Sequence, residues 1–178
     1  DTDGSGFPGA LDNGSGVALI SAVLRQLAKV ETRNRNLIVV YFDQEEESVS
    51  AGSIAFARFL KAQDYDVHSV HSFDLIGWDS DHNREVSLAL PNAEIEALYK
   101  KHAQRLGIPL YVIDSTSSDY YSFISEGINA VGISQAYTKG DVSGLKDSPK
   151  DVYELINFAY LESSTQLAAA VLKELIDG

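Results

Sequence analysis

The tripeptide Glu45-Glu46-Glu47 follows an apolar run, residues 37–42, through a short Asp43-Gln44 lead-in. Adjacent carboxylates at the end of a hydrophobic strand repel one another and lose hydration. A fold keeps them where a cation neutralises them, or where one of them must act as a base. Two more acids hold comparable positions: Asp12 ahead of a helical pattern, and Asp74 at the end of the next strand pattern. Together they suggest a metal site with a general base beside it. A Glu-Glu pair standing alone is more often a solvated helix start; Asp12 and Asp74 are what distinguish this one.

The elements that must position these acids follow from periodicity and punctuation. Residues 1–16 are rich in Gly, Asp, Ser and Pro and read as a loop. Val17, Leu19, Ile20, Val23, Leu24 and Leu27 then repeat at helical spacing, predicting an amphipathic helix over 15–29. Residues 37–42 read as a strand buried on both faces. A helix over 52–62 follows, with Ile54, Phe56, Phe59 and Leu60 turned to the core, and then strands over 67–76 and 85–90. Asn92 and Gly107 punctuate a further helix as N-cap and C-terminal stop. Strands over 110–113 and 128–133 flank a loop and short helix at 117–126. After a long loop at 134–150, a terminal helix runs over 152–176 with a break near Asn157. Alternating strands and helices predict an α/β fold: a mixed, largely parallel sheet sandwiched between helices in three layers. Ligands of such sheets gather at the carboxyl ends of strands, which makes Asp12, Glu45, Glu46 and Asp74 spatial neighbours.

At 178 residues the chain reads as a single domain over 1–178, long enough for a real core. A net charge of −12 argues against a nucleic-acid partner, which selects basic surfaces. No apolar run approaches the about 20 residues that a membrane helix needs, so no membrane insertion is expected. The absence of Cys excludes disulfides and thiolate metal ligands. With no Met at position 1 and no signal-peptide pattern, the chain is expected to be processed or truncated at its amino terminus. Gly14 and Gly16 do not make a phosphate loop, because Asp12 at the mouth of their helix repels an anion.

Six blocks in order carry a resemblance to a known family. The stretch from Pro8 to Ala18, with Asp12-Asn13-Gly14-Ser15-Gly16 at its centre, is similar to the P-G-A-x-D-N-x-S-G-V-A signature of the co-catalytic di-zinc exopeptidases. These include the bacterial leucyl aminopeptidases and their glutaminyl cyclase relatives. Phe42-Asp43-Gln44-Glu45-Glu46 resembles the F-x-x-E-E motif, and Ser72-Phe73-Asp74-Leu75-Ile76-Gly77 resembles N-F-D-M-I-G. Ser118-Asp119-Tyr120 with Phe123 follows S-D-H-x-x-F, and Gly127 to Val131 follows G-I-P-A-V. Asp147-Ser148-Pro149-Lys150-Asp151 falls on H-T-P-K-D.

The resemblance implies two zinc ions, a peptide substrate and hydrolysis of N-terminal residues by an activated water. It implies Asp12 as the bridging metal ligand, Glu46 and Asp74 as ligands of one ion each, and Glu45 as the general base. Counting back from Gly52-Ser53 instead would make Glu46 the base and Glu47 the ligand; the strand end favours the first register, leaving Glu47 a solvated bystander. Asp147 takes the place of a histidine ligand, which shifts the donor set towards oxygen and towards Mg, Mn or Ca. The family's first histidine would precede Asp1, and Asp1 would orient it. Asp119, Tyr120 and Tyr121 are implied beside the metals or on the substrate side, with the tyrosines able to steady an oxyanion or simply to pack at a helix start. Gln135 stands where the family often has an acid. Lys150 and Asp151 are expected to fix the long loop. None of the four histidines substitutes for the missing ligands: His102, among Lys100, Lys101 and Arg105, reads as a surface residue, and His82 as a solvent-exposed loop residue. Two other functions stay open: a degenerate homologue acting as a binding or scaffold domain, and glutaminyl-cyclase-type chemistry at a single metal. Family habit implies secretion or the periplasm.

Overall fold

The computed structural model describes residues 6–46, 50–141 and 143–177. Its helices are α1 (Ser15–Leu27), α2 (Ala51–Ala62), α3 (Ala93–Leu106), α4 (Tyr120–Ser125) and α5 (Phe158–Asp177). Its strands are β1 (Val70–Phe73), β2 (Val86–Ala89), β3 (Leu110–Ile113) and β4 (Ala130–Gln135). They form one sheet in the order β1-β4-β2-β3, parallel at β1–β4 and β2–β3 and antiparallel at β2–β4. The mixed, mostly parallel sheet with helices on both faces is the architecture expected from the alternation of elements.

Period-2 alternation divides the strand side chains between two cores. On one face Val86, Leu88, Val131 and Ile133 meet Leu19 and Val23 of α1, Tyr99 of α3, and Leu167 and Val171 of α5. On the other face Ala89 and Ala130 meet Ala57 and Leu60 of α2 and Phe123 of α4. The small strand residues on this second face let α4 come close: a Cβ at Gly132 would lie 2.5 Å from the ring of Tyr120. Helix α3 has the caps that its sequence announces. Asn92 Oδ1 accepts from the backbone N–H of Ile95 at 2.8 Å, and Gly107 ends the helix at φ 64°.

Four expectations are corrected. Residues 37–42 form no strand, and Ile38 and Tyr41 are 58% and 53% exposed. An apolar run makes a buried strand only where a neighbour completes its ladder, and none of the described residues does so. Instead the segment faces residues 65–73 across a groove of roughly 920 Å³, whose polar end carries Asn13, Glu45, Asp74, Ser118 and Asp119. The strand expected over 67–76 is the shorter β1, so Asp74 stands just past its end, its N–H bonded to Ile133 O at 3.1 Å. The terminal helix begins only at Phe158, after a 3-10 turn at Tyr153–Leu155. His102 is buried rather than superficial, and its Nε2 lies 2.9 Å from Glu174 Oε2 of α5. No helix of the described residues is long and apolar enough to cross a membrane.

Candidate metal centre

The loop ahead of α1 carries Asp12, and three contacts fix it. The buried carboxylate of Asp151 accepts the N–H of Leu11 at 2.8 Å and that of Asp12 at 3.0 Å. Asn13 donates from Nδ2 to Phe73 O at 2.9 Å, tying the loop to the end of β1. Ser15 Oγ donates to Leu11 O at 2.7 Å and accepts from the N–H of Ile76 at 3.2 Å. Gly16 is required here, because a Cβ would sit 2.4 Å from Phe73 O and 2.4 Å from Asn13 Oδ1. The Asp12–Asn13 peptide is cis. The D-N-G-S-G string thus serves as a clasp between α1 and the sheet end where Asp74 stands, and Asp12 is left only 5% exposed.

The other acids arrive from three further loops. Carboxylate oxygens of Asp12, Glu46 and Asp147 lie within 4.8 Å of one another. Asp74 is adjacent but outside this tight group; its Oδ2 accepts from Ser118 Oγ at 2.7 Å. Asp147 has φ 55°, a left-handed conformation that Asp tolerates better than most residues. Asp1 and Glu47 lie outside the described residues.

The electrostatics are those of a site short of positive charge. Burial, then the charges of Asp74, Glu46 and Asp119, push Glu45 up to about 7. Burial and the Asp12 charge push Asp74 up to about 6, with the Ser118 donor pulling the other way. Burial raises Asp12 despite the neighbouring Lys146, and burial with the charges of Asp12 and Asp147 raises Glu46. Lys146, which no sequence motif singled out, sits among these acids. Its Nζ is 3.3 Å from Asp12 Oδ2 and 2.8 Å from Asp147 Oδ2. Burial alone lowers its proton affinity, but the hydrogen bond to Asp147 and the charge of Asp12 outweigh it and raise the net value.

Three converging carboxylates, two of them (Asp12 and Glu46) with raised proton affinity, fit a divalent cation, and an all-oxygen set suits hard ions. No described histidine joins them. His71 is bonded to Tyr99 Oη and Ser69 Oγ at 3.1 Å each, His68 lies near Glu94, His82 is exposed, and His102 is held by Glu174. A second group, Asp79, Asp81 and Asp141, shapes a loop: Asp141 accepts from the N–H and Oγ of Ser80, and Asp79 accepts from the N–H of Asn83.

The residues expected around the metals separate into distinct surroundings. Asp119 lines the groove beside Glu45, and its Oδ1 is buried without a hydrogen-bond partner among the described residues. The Tyr120 ring is core, and its hydroxyl donates to Ser115 O at 2.6 Å, so the packing alternative describes it better than an oxyanion role. Tyr121 is 41% exposed and does not line the groove. Gln135 is a structural tie, accepting the N–H of Trp78 at 2.9 Å and donating to Asp141 O at 2.8 Å.

Comparison with known proteins bears on the fold and the family. The fold matches the LapA aminopeptidase of Legionella pneumophila at TM-score 0.86 and 22% identity, over 97% of this chain and 48% of that one. It matches the zinc aminopeptidase BSAP of Bacillus subtilis at TM-score 0.87 and 21% identity, over 97% and 43%. It also matches the glutaminyl cyclase of Porphyromonas gingivalis at TM-score 0.79 and 19% identity, over 96% and 64%. The chain thus spans about half the length of the aminopeptidases that it resembles. A comparison with curated protein sequences finds no significant relative. The model of peptidase family M28 matches residues 1–172, and the chain belongs to that family.

Proposed function

We propose that this chain carries the active centre of a metal-dependent exopeptidase, an aminopeptidase that removes N-terminal residues from peptides. The observation that carries the reading is the convergence of Asp12, Glu46 and Asp147, with Glu45 and Asp74 next to them at the end of an open groove. Asp12, Glu46, Asp74 and Asp147 would hold the metal, zinc by kinship with the family. A divalent ion bound there supplies Lewis acidity and makes water a nucleophile at neutral pH. Glu45 is the base: its carboxylate takes the proton from the attacking water and passes it to the leaving amine. Without a metal, burial and the neighbouring carboxylates raise its proton affinity, the direction that favours accepting a proton near neutral pH. Asp151, Asn13 and Ser15 hold the loop that aims Asp12, and Ser118 steadies Asp74. The groove running away from the acids between residues 34–42 and 65–73 gives an extended peptide room to lie.

The test pairs turnover with binding. Glu45→Gln in the whole protein is expected to cut hydrolysis of leucine-4-nitroanilide by about 10²- to 10⁴-fold, while calorimetric zinc affinity stays within a factor of about two of wild type, because a base contributes to proton transfer and not to coordination. Loss of zinc binding instead would make Glu45 a ligand, whereas the same loss of turnover with intact binding in Glu46→Gln would shift the register by one.

A second reading has its own support. Asp12, Glu46 and Asp147 form one compact group, whereas Asp74 is set apart and engaged by Ser118. That arrangement suits a single ion and glutaminyl-cyclase-type chemistry. Mass analysis of a Gln-initial peptide separates the two: cyclisation loses ammonia and keeps the residue, whereas aminopeptidase action removes the residue.

A further inference from the structure

We infer that the Lys146 ammonium is a resident cation of the Asp12–Glu46–Asp147 pocket, and that a divalent ion enters this pocket by displacing it. The inference rests on the metal-binding reading above and adds to it a competitor built into the chain. Lys146 Nζ contacts Asp12 Oδ2 at 3.3 Å and Asp147 Oδ2 at 2.8 Å. Those carboxylates, with Glu46, are the three acids whose oxygens converge within 4.8 Å. A metal ligated by carboxylates lies about 2.0–2.2 Å from the ligating oxygens, within the space that the ammonium fills. Two cations do not share those lone pairs at such range.

The local chain presents ligand and competitor together. Lys146 and Asp147 are consecutive, in a turn closed by Ser148 Oγ donating to Leu145 O at 2.5 Å and by the N–H of Asp151 bonding to Ser148 O at 3.0 Å. Asp151 also grips the Asp12 loop, so the turn and its two side chains are held against Asp12. Asp12 is buried, and a buried carboxylate near two others needs a counter-charge. Lys146 provides one from the sequence itself. Its side chain is 27% exposed and its stem is flexible, so the ammonium has a way out to solvent.

Two consequences follow. The metal-free pocket is partly neutralised, which lessens the repulsion among its acids. The apparent affinity for an ion falls in proportion to the fraction of molecules in which Lys146 has withdrawn. If the ammonium sits in the pocket about nine-tenths of the time, binding weakens about tenfold.

The test uses the whole protein stripped with EDTA and titrated with zinc chloride or manganese chloride in a calorimeter. Lys146→Met is expected to bind the ion about tenfold more tightly than wild type and to melt at a lower temperature without metal. Lys146→Arg keeps the cation, and so keeps the wild-type melting temperature and the weaker binding. A measurement on wild type alone does not depend on how any variant folds. Brief acetylation with an N-hydroxysuccinimide ester, read by peptide mass spectrometry, should label Lys146 faster once metal is added, because the ion expels the amine to solvent. Equal metal affinity in wild type and Lys146→Met, or labelling that metal leaves unchanged or slows, overturns the displacement. If neither protein binds an ion, the metal-binding reading itself fails. A lower metal-free melting temperature for Lys146→Met would then mark the ammonium as a permanent counter-charge.

Discussion

Replacing Asp74 with Asn should stabilise the metal-free protein at neutral pH and do little in acid. Asp74 ionises at 3.8 in an unfolded chain and at about 6 in the fold, chiefly because burial penalises its charge and Asp12 repels it. Between these values the native state holds more protons than the unfolded one, so stability falls as pH rises through about 4 to 6 and stays reduced above. At about 1.4 kcal/mol per pKa unit the ceiling is near 3 kcal/mol; solvent reaching the partly exposed carboxylate reduces the expectation to about 1.5 kcal/mol. Asn is neutral, can still accept from Ser118 Oγ, and relieves Glu45 of a repelling charge, an effect of the same sign. The assay is thermal melting of wild type and Asp74→Asn in EDTA at pH 4 and pH 7.5. For a domain of this size about 1.5 kcal/mol corresponds to roughly 3–6 °C. His71 pulls the other way: burial lowers it to about 4, so its neutral form gains stability as pH rises from about 4 to 6.5. That contribution is common to both proteins and cancels in their difference. A difference that is the same at both pH values, or a variant no more stable than wild type at pH 7.5, would refute the electrostatic account.

Gly132→Ala should cost about 1–3 kcal/mol in urea denaturation, since its Cβ would press into the Tyr120 ring at 2.5 Å and α4 would have to shift. Ser118→Ala removes a hydrogen bond that lowers the Asp74 proton affinity, so calorimetric zinc binding should require a higher pH than in wild type. Asp147→His is sterically suited to its φ of 55°, because His, like Asp, is enriched in the left-handed region. It should raise the preference for zinc over manganese in competition titrations, as imidazole favours zinc over hard ions; unchanged selectivity would mean that this side chain does not ligate.

Much of the fold was legible in the sequence wherever a short segment decides its own conformation. Helices α1 and α3 follow from apolar spacing, as does the position of α2, although Phe59, expected in its core, is 50% exposed; Asn92 and Gly107 cap α3 as their chemistry requires. The acids Asp12, Glu45, Glu46 and Asp74 were visible as a motif, because carboxylates at strand ends are out of place unless they meet something. Residues 37–42 misled because apolar composition reports affinity for a core and not the presence of a strand partner. His102 misled because its helical neighbours are charged, whereas the acid that holds it, Glu174, comes from α5, 72 residues away.

What the sequence by itself determined is which residues can do chemistry and which local elements carry them. Only the tertiary structure decided that Asp74 stands aside with Ser118 from the compact Asp12–Glu46–Asp147 group, that Tyr120 is core, and that Lys146 sits among the acids. The physical reason is range. Helix periodicity and caps act over a few residues, whereas the charge and burial of each carboxylate depend on loops more than a hundred residues apart, which meet only when the sheet and its two cores close.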